Sequence, residues 1–157
     1  ICCCMKICCQ TRIFQQDIIL EMPTDYRQHG LCKQMRVLAD ESCLHDTEII
    51  FRQEASANQP SLNCGPSSGQ HVDASGFLLS LISPVFHRMV CGAFRESHDR
   101  RLTLVDADPD TFRAVLSLAC GHDAVRLGGL AGVMEAARLA DRFQMTEVVS
   151  ALEDAVL

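Results

Sequence analysis

No apolar run in this sequence reaches the ~18–20 residues that a helix needs to cross a bilayer. Basic residues are nowhere concentrated: the formal net charge is −6, and the tightest basic cluster is Arg100-Arg101. A main role on nucleic acid or on an anionic membrane needs a concentrated positive surface, so the composition weighs against both. The patterns G-x-x-x-x-G-K-[ST], G-x-G-x-x-G and H-E-x-x-H do not occur. With them go the commonest sequence routes to nucleotide chemistry and zinc hydrolysis. The expectation is a protein that is not an enzyme and holds no metal or cofactor.

Cysteine is plentiful but unpatterned. Five of the ten fall in the first nine residues, and Cys32, Cys43, Cys64, Cys91 and Cys120 are scattered with no C-x-x-C pair among them. Zinc-finger spacing is therefore absent. These five read as reduced thiols of an intracellular protein, small core residues where their neighbours are apolar, rather than as a disulfide framework. The cysteines of residues 2–9 fit an acylated tether or an unstructured terminus, the plainer reading. The chain opens on Ile1 rather than Met, as a piece of a longer protein or a misplaced start would.

What is present suits one packed domain, or a domain plus an extension: 157 residues, 48% of them apolar and 22% charged. Ile18-Ile19-Leu20 reads as a short strand ended by Pro23. A helix is expected over 26–40, where Leu31, Met35 and Leu38 recur at spacings of four and three. Thr47-Glu-Ile-Ile-Phe51 is a strand by its β-branched and aromatic content. Residues 54–70 are dominated by Asn, Pro, Ser and Gly and form a long flexible loop; a short strand over 71–73 follows. The apolar run Gly76-Phe-Leu-Leu-Ser-Leu-Ile82 stops at Ser83-Pro84, a cap and a first-turn proline for a helix carrying Val85, Phe86, Met89 and Val90.

Arg101-Leu-Thr-Leu-Val105 alternates as a strand, with Leu102 and Leu104 on one face. Asp108 caps the next helix, Pro109 opens it and Asp110 complements its dipole. Phe112, Val115, Leu116 and Ala119 make its stripe, and Gly121 stops it. A short strand is expected over 124–127, then a helix over 130–143 with Leu130, Val133, Met134, Ala137, Ala140 and Phe143 on one side. Thr146 caps the last helix, whose face is Val149, Leu152 and Val156 with Val148 beside it. The order is that of an α+β protein, short strands gathered into a small sheet with helices grouped against it.

Four stretches in this order resemble a BTB/POZ domain. They are Val72-Asp-Ala-Ser-Gly-Phe-Leu-Leu-Ser-Leu-Ile-Ser-Pro-Val-Phe86, Met89-Val-Cys-Gly-Ala-Phe-Arg-Glu-Ser97, Leu102-Thr-Leu-Val-Asp-Ala-Asp-Pro-Asp-Thr-Phe112 and Ala137-Arg-Leu-Ala-Asp-Arg-Phe-Gln-Met145. Thr47–Phe51, after His45-Asp46, resembles the family's first strand. The chain departs from the family at Ser75, where a histidine is usual, at Ala119 in place of an aromatic, and in the length of the 54–70 loop. The resemblance implies an α+β BTB/POZ fold: a small, mainly three-stranded sheet flanked by a cluster of short helices. It places the domain at 44–157, after a poorly defined extension over 1–43.

The resemblance also implies function. BTB adaptors engage the cullin-3 scaffold of a ubiquitin ligase through a hydrophobic-x-Glu segment that matches Phe94-Arg95-Glu96, with Met89 just before it. An apolar anchor and a register-setting carboxylate suit such a contact; the alternative is a turn in which Phe94 packs inward. Many family members place a dimer-forming helix where Leu31, Met35 and Leu38 lie, so a homodimer is expected, against a helix packed on its own domain. The competing function is a self-associating scaffold or transcriptional regulator with no ligase link. The remaining hints of chemistry have plainer readings: Cys120-Gly-His122 is a helix end, Cys91 four residues after His87 is incidental, and Asp106, Asp108 and Asp110 are capping groups.

Overall fold

The computed structural model describes residues 17–20, 22, 27–28, 30–52, 70–93, 98–122 and 125–154. In chain order its elements are β1 (Ile18–Leu20), α1 (Gly30–Asp40), a 3-10 turn (Ser42–Leu44), β2 (Thr47–Arg52), β3 (His71–Ala74), α2 (Gly76–Ile82), α3 (Pro84–Cys91), β4 (Arg101–Val105), α4 (Pro109–Ala119), β5 (Val125–Leu127), α5 (Gly129–Arg142) and α6 (Thr146–Asp154).

Local chemistry sets most of these boundaries. Ser75 and Ser83 sit in extended backbone, and their hydroxyls accept from the N–H of Leu78 at 3.4 Å and of Phe86 at 3.1 Å, starting α2 and α3. Asp108 does the same for α4, accepting from the Thr111 N–H at 2.8 Å. Each such cap stabilises by about 1 kcal/mol. α4 ends in a Schellman turn: Gly121 has φ +67, its N–H reaches Leu118 and the His122 N–H reaches back to Ser117. α5 ends the same way with Gln144 in the left-handed position, φ +56, and the Met145 N–H on Ala140. α6 begins at Thr146 itself, one residue earlier than a Thr146 cap requires.

β2 is the middle strand of a three-stranded sheet, order β3-β2-β4. It pairs antiparallel with β3, Ile49 opposite Val72, and parallel with β4, Ile49 opposite Leu102. The parallel pairing needs a crossover, and α2 and α3 supply it. Thr47, Ile49 and Phe51 of β2 and Leu102 and Leu104 of β4 alternate into the interior. There Phe86 stacks on Phe143 at 4.3 Å between centroids, and Phe112 meets Phe86 and Phe51 edge-on. Burying such a ring contributes about 1.5–3 kcal/mol. On α5 the buried face runs through Val133, Ala136, Leu139 and Ala140, while Met134 is 58% exposed. The apolar period favoured Met134 because a methionine and an alanine compete for the stripe, and here the small alanines let the helices approach.

β1 pairs antiparallel with β5, Ile18 opposite Leu127 and Leu20 opposite Val125. Met22 is buried in the main core. α1 packs through Cys32 and Met35 on Leu78 and Cys120 in a small second cluster. Parts of residues 17–40 thus pack against the fold formed by the rest of the chain.

Candidate protein-interaction surfaces

α3 leads to the first surface. Ser83, 1% exposed, fixes its start twice over: its hydroxyl accepts from Phe86 and donates to the Phe143 carbonyl at 2.5 Å. Phe86 is fully buried beneath it. Down the helix His87, Arg88 and Cys91 face outward, and Met89 is half-buried against the core. Gly92 closes the helix with its N–H on the Arg88 carbonyl. Of the residues matched to the cullin segment, Met89 has a described position; Phe94, Arg95 and Glu96 lie outside the described residues.

The second surface is the outer side of α1 and α2. The sequence put Leu31, Met35 and Leu38 on one stripe. Met35 is 6% exposed and turned into the fold, Leu38 is half-buried beside it, and Leu31 is 47% exposed. Cys32, not Leu31, is the neighbouring inward residue. Arg36 ties the helix down from its side, donating to the carbonyls of Cys120 and Gly121 at the end of α4. On α2, Phe77 and Leu81 are 63% and 44% exposed. Leu31, Met35, Leu81, Ile82 and Pro84 line an apolar groove of about 760 Å³, with Gln144 and Glu147 among its polar members. Phe77 and Leu81 were not singled out in the sequence, although their spacing of four within a run otherwise read as core was the available signal.

A third region is polar and inward-looking in its bonding. Asp46 accepts from the Gly76 N–H at 2.7 Å and from the Thr47 hydroxyl, and pairs with Arg100 at 3.1 Å. Burial pushes its carboxyl up, but these three partners outweigh that and hold it below the ordinary carboxylate value. A Cβ on Gly76 would stand 2.6 Å from the Thr47 hydroxyl oxygen, so glycine permits the close approach of α2 to β2. Arg101 pairs with Glu48 across the sheet at 2.8 Å. These bonds hold the start of α2 to β2 and β4; all are internal.

The residues that hinted at chemistry are placed for structure. Cys120 is fully buried, and burial, with Cys32 and Asp40 nearby, pushes its thiol up to about 12 against the pull of Arg36; at neutral pH it is a core thiol with little thiolate. His122 stands 3.7 Å from Asp40. Asp108 is spent on its cap, and Asp110 pairs with Arg113. Among the described residues no group of three or more His, Cys, Asp and Glu is arranged to hold a metal, and no helix is long and apolar enough to cross a membrane.

Comparison with known proteins bears on the fold. The family model of the BTB/POZ domain matches residues 61–157. Among solved structures, the BTB (Tramtrack and Bric a brac) domain of human gigaxonin superposes with a TM-score of 0.58 at 10% identity, over 85% of this chain and 93% of that one. At that identity the likeness is one of fold alone. No curated protein matches the sequence.

Proposed function

Because this chain belongs to the BTB/POZ family, we propose that it is a substrate-adaptor component of a cullin-3 ubiquitin ligase. BTB domains are protein-interaction modules and generally not enzymes. The observation that carries the adaptor reading is Phe94-Arg95-Glu96, an apolar-x-carboxylate segment just after α3. In this reading Phe94 fills an apolar pocket on cullin-3, Glu96 sets the register, and Arg95 and Met89 flank the contact. The module proper spans 44–157, and residues 1–43 are its extension. The protein works in the cytoplasm or nucleus.

The second reading is a self-associating scaffold or transcriptional regulator, and it is favoured by the apolar side chains left in water. Leu31, Phe77 and Leu81 are between 44% and 63% exposed, and two of them line one groove. Apolar exposure gathered in one groove, as for Leu31 and Leu81, marks interaction surfaces. A homodimer through this face uses Leu31 as the contact, with Met35 and Leu38 seating α1 beneath it. Self-association by itself fits either reading; what separates them is the link to the ligase, which this second reading lacks.

Calorimetric titration of the full chain with the N-terminal region of cullin-3 tests the first reading. Wild type gives saturable binding, and the pair of changes Phe94→Ala and Glu96→Ala weakens it at least about ten-fold, or ~1.4 kcal/mol, without unfolding the chain. A well-folded wild type that gives no binding overturns the adaptor reading and leaves the self-associating one.

A further inference from the structure

Two thiols meet where α1 leans on the end of α4. Cys32 and Cys120 are 2% and 0% exposed and share a small apolar cluster with Met35 and Leu78. The Cys32 thiol donates to the Cys120 carbonyl at 3.0 Å, and the same carbonyl accepts from Arg36 Nε at 3.2 Å. A Cβ on Gly121 would stand 2.5 Å from the Cys32 sulfur, so that sulfur rests on the backbone of residues 120 and 121. The contact sets the two cysteines side by side in one cluster; a disulfide between them requires Cα atoms ~4.4–6.8 Å apart. Cys32 also lines the apolar groove, and the Arg36 guanidinium beside both thiols offsets part of the burial that disfavours their thiolates.

We propose that Cys32 and Cys120 are a modification site, a dithiol that a hydroperoxide oxidises to a disulfide clasping α1 onto the end of α4. The Cys32 thiolate attacks the peroxide O–O bond, taking one oxygen as sulfenic acid and releasing hydroxide or alkoxide. The Cys120 thiolate then attacks that sulfur and expels hydroxide. In sum, two thiols and one hydroperoxide give one disulfide, one water and one alcohol (a second water when the oxidant is hydrogen peroxide). The two electrons leave the sulfurs for the O–O bond. Burial raises both thiols above their ordinary value, Cys32 with a smaller opposing pull from Arg36. The reaction is therefore slow at neutral pH and quickens as pH rises.

Peptide mapping of the full chain reads this directly. Trypsin cuts after Arg27, Lys33, Arg113 and Arg126, which leaves each thiol as the lone cysteine of its peptide, 28–33 and 114–126. The chain is treated with hydrogen peroxide at about pH 7 and about pH 8.5, then denatured, blocked with N-ethylmaleimide and digested. The two peptides are expected joined, several-fold faster at the higher pH. The link disappears on reduction and is absent from Cys32→Ser. The oxidised chain melts at a higher temperature than the reduced one. Recovery of both peptides blocked, singly over-oxidised or joined to other cysteines, in a chain with native circular dichroism, overturns the proposal. So does a link that forms only in the denatured chain, or one that leaves the melting temperature unchanged.

Discussion

Ser83 joins two helices with one hydroxyl. It accepts from Phe86 to start α3 and donates to the carbonyl of Phe143 at the end of α5. Ser83→Ala removes the cap and leaves a buried carbonyl unpaired, so we expect it to destabilise the fold by about 1–3 kcal/mol. Urea denaturation checks this; a loss of only a few tenths would mean that water replaces both bonds. The cap was legible in the Ser83-Pro84 dipeptide, as was the one in Asp108-Pro109, because a cap is decided by its nearest neighbours. The second bond, to a residue 60 positions away, was not.

Asp46 is a residue whose effect depends on pH. Its folded-state carboxyl is held below the ordinary value by Gly76, Thr47 and Arg100 against the opposing effect of burial. A depressed carboxylate contributes stability above its unfolded value of about 4, and that contribution is lost as pH falls through the lower folded value. Asp46→Asn is therefore less stable than wild type at neutral pH, and the gap closes below about pH 4. Thermal melts across that range measure it; a gap that persists unchanged into acid would show that the charge is not what matters. The glycine that admits Asp46 to the start of α2 was read only as part of an apolar run, because a close approach is a property of two segments rather than one.

α1 is the element on which sequence and structure differ most usefully. The period placed Leu31, Met35 and Leu38 together, and the helix forms over 30–40 within the expected 26–40. Which side faces inward is set by what α1 packs against. Leu78 and Cys120 take Cys32 and Met35, which turns Leu31 outward. A spacing rule weights residues by size and cannot see the partner surface. The pairing of β1 with β5 across more than a hundred residues escapes it for the same reason. The two sides of α1 should separate by mutation. Met35→Ala is expected to destabilise by about 2–4 kcal/mol as a buried truncation. Leu31→Ala is expected to leave the denaturation midpoint within about 0.5 kcal/mol and to weaken self-association. Denaturation together with size-exclusion chromatography measures both, and equal destabilisation by the two changes would contradict the orientation of the helix.

At the scale of the molecule, a three-stranded sheet, interlocked phenylalanines and helices fastened by caps leave the apolar face of α1 and α2 outward. In the sequence, Phe94-Arg95-Glu96 follows three residues after Cys91, the last residue of α3. The strands, the capped helices and the family's four stretches were all readable along the chain because each is a local pattern. The apolar face was only half readable, because it is assembled from two helices, and which of their residues are buried is decided by how the two pack. Sedimentation velocity of the full chain, alone and mixed with the N-terminal region of cullin-3, tests the account most directly. The account predicts a dimer that moves faster when cullin-3 is added, as one boundary containing both proteins. A monomer that sediments unchanged beside a separate cullin-3 boundary would contradict it.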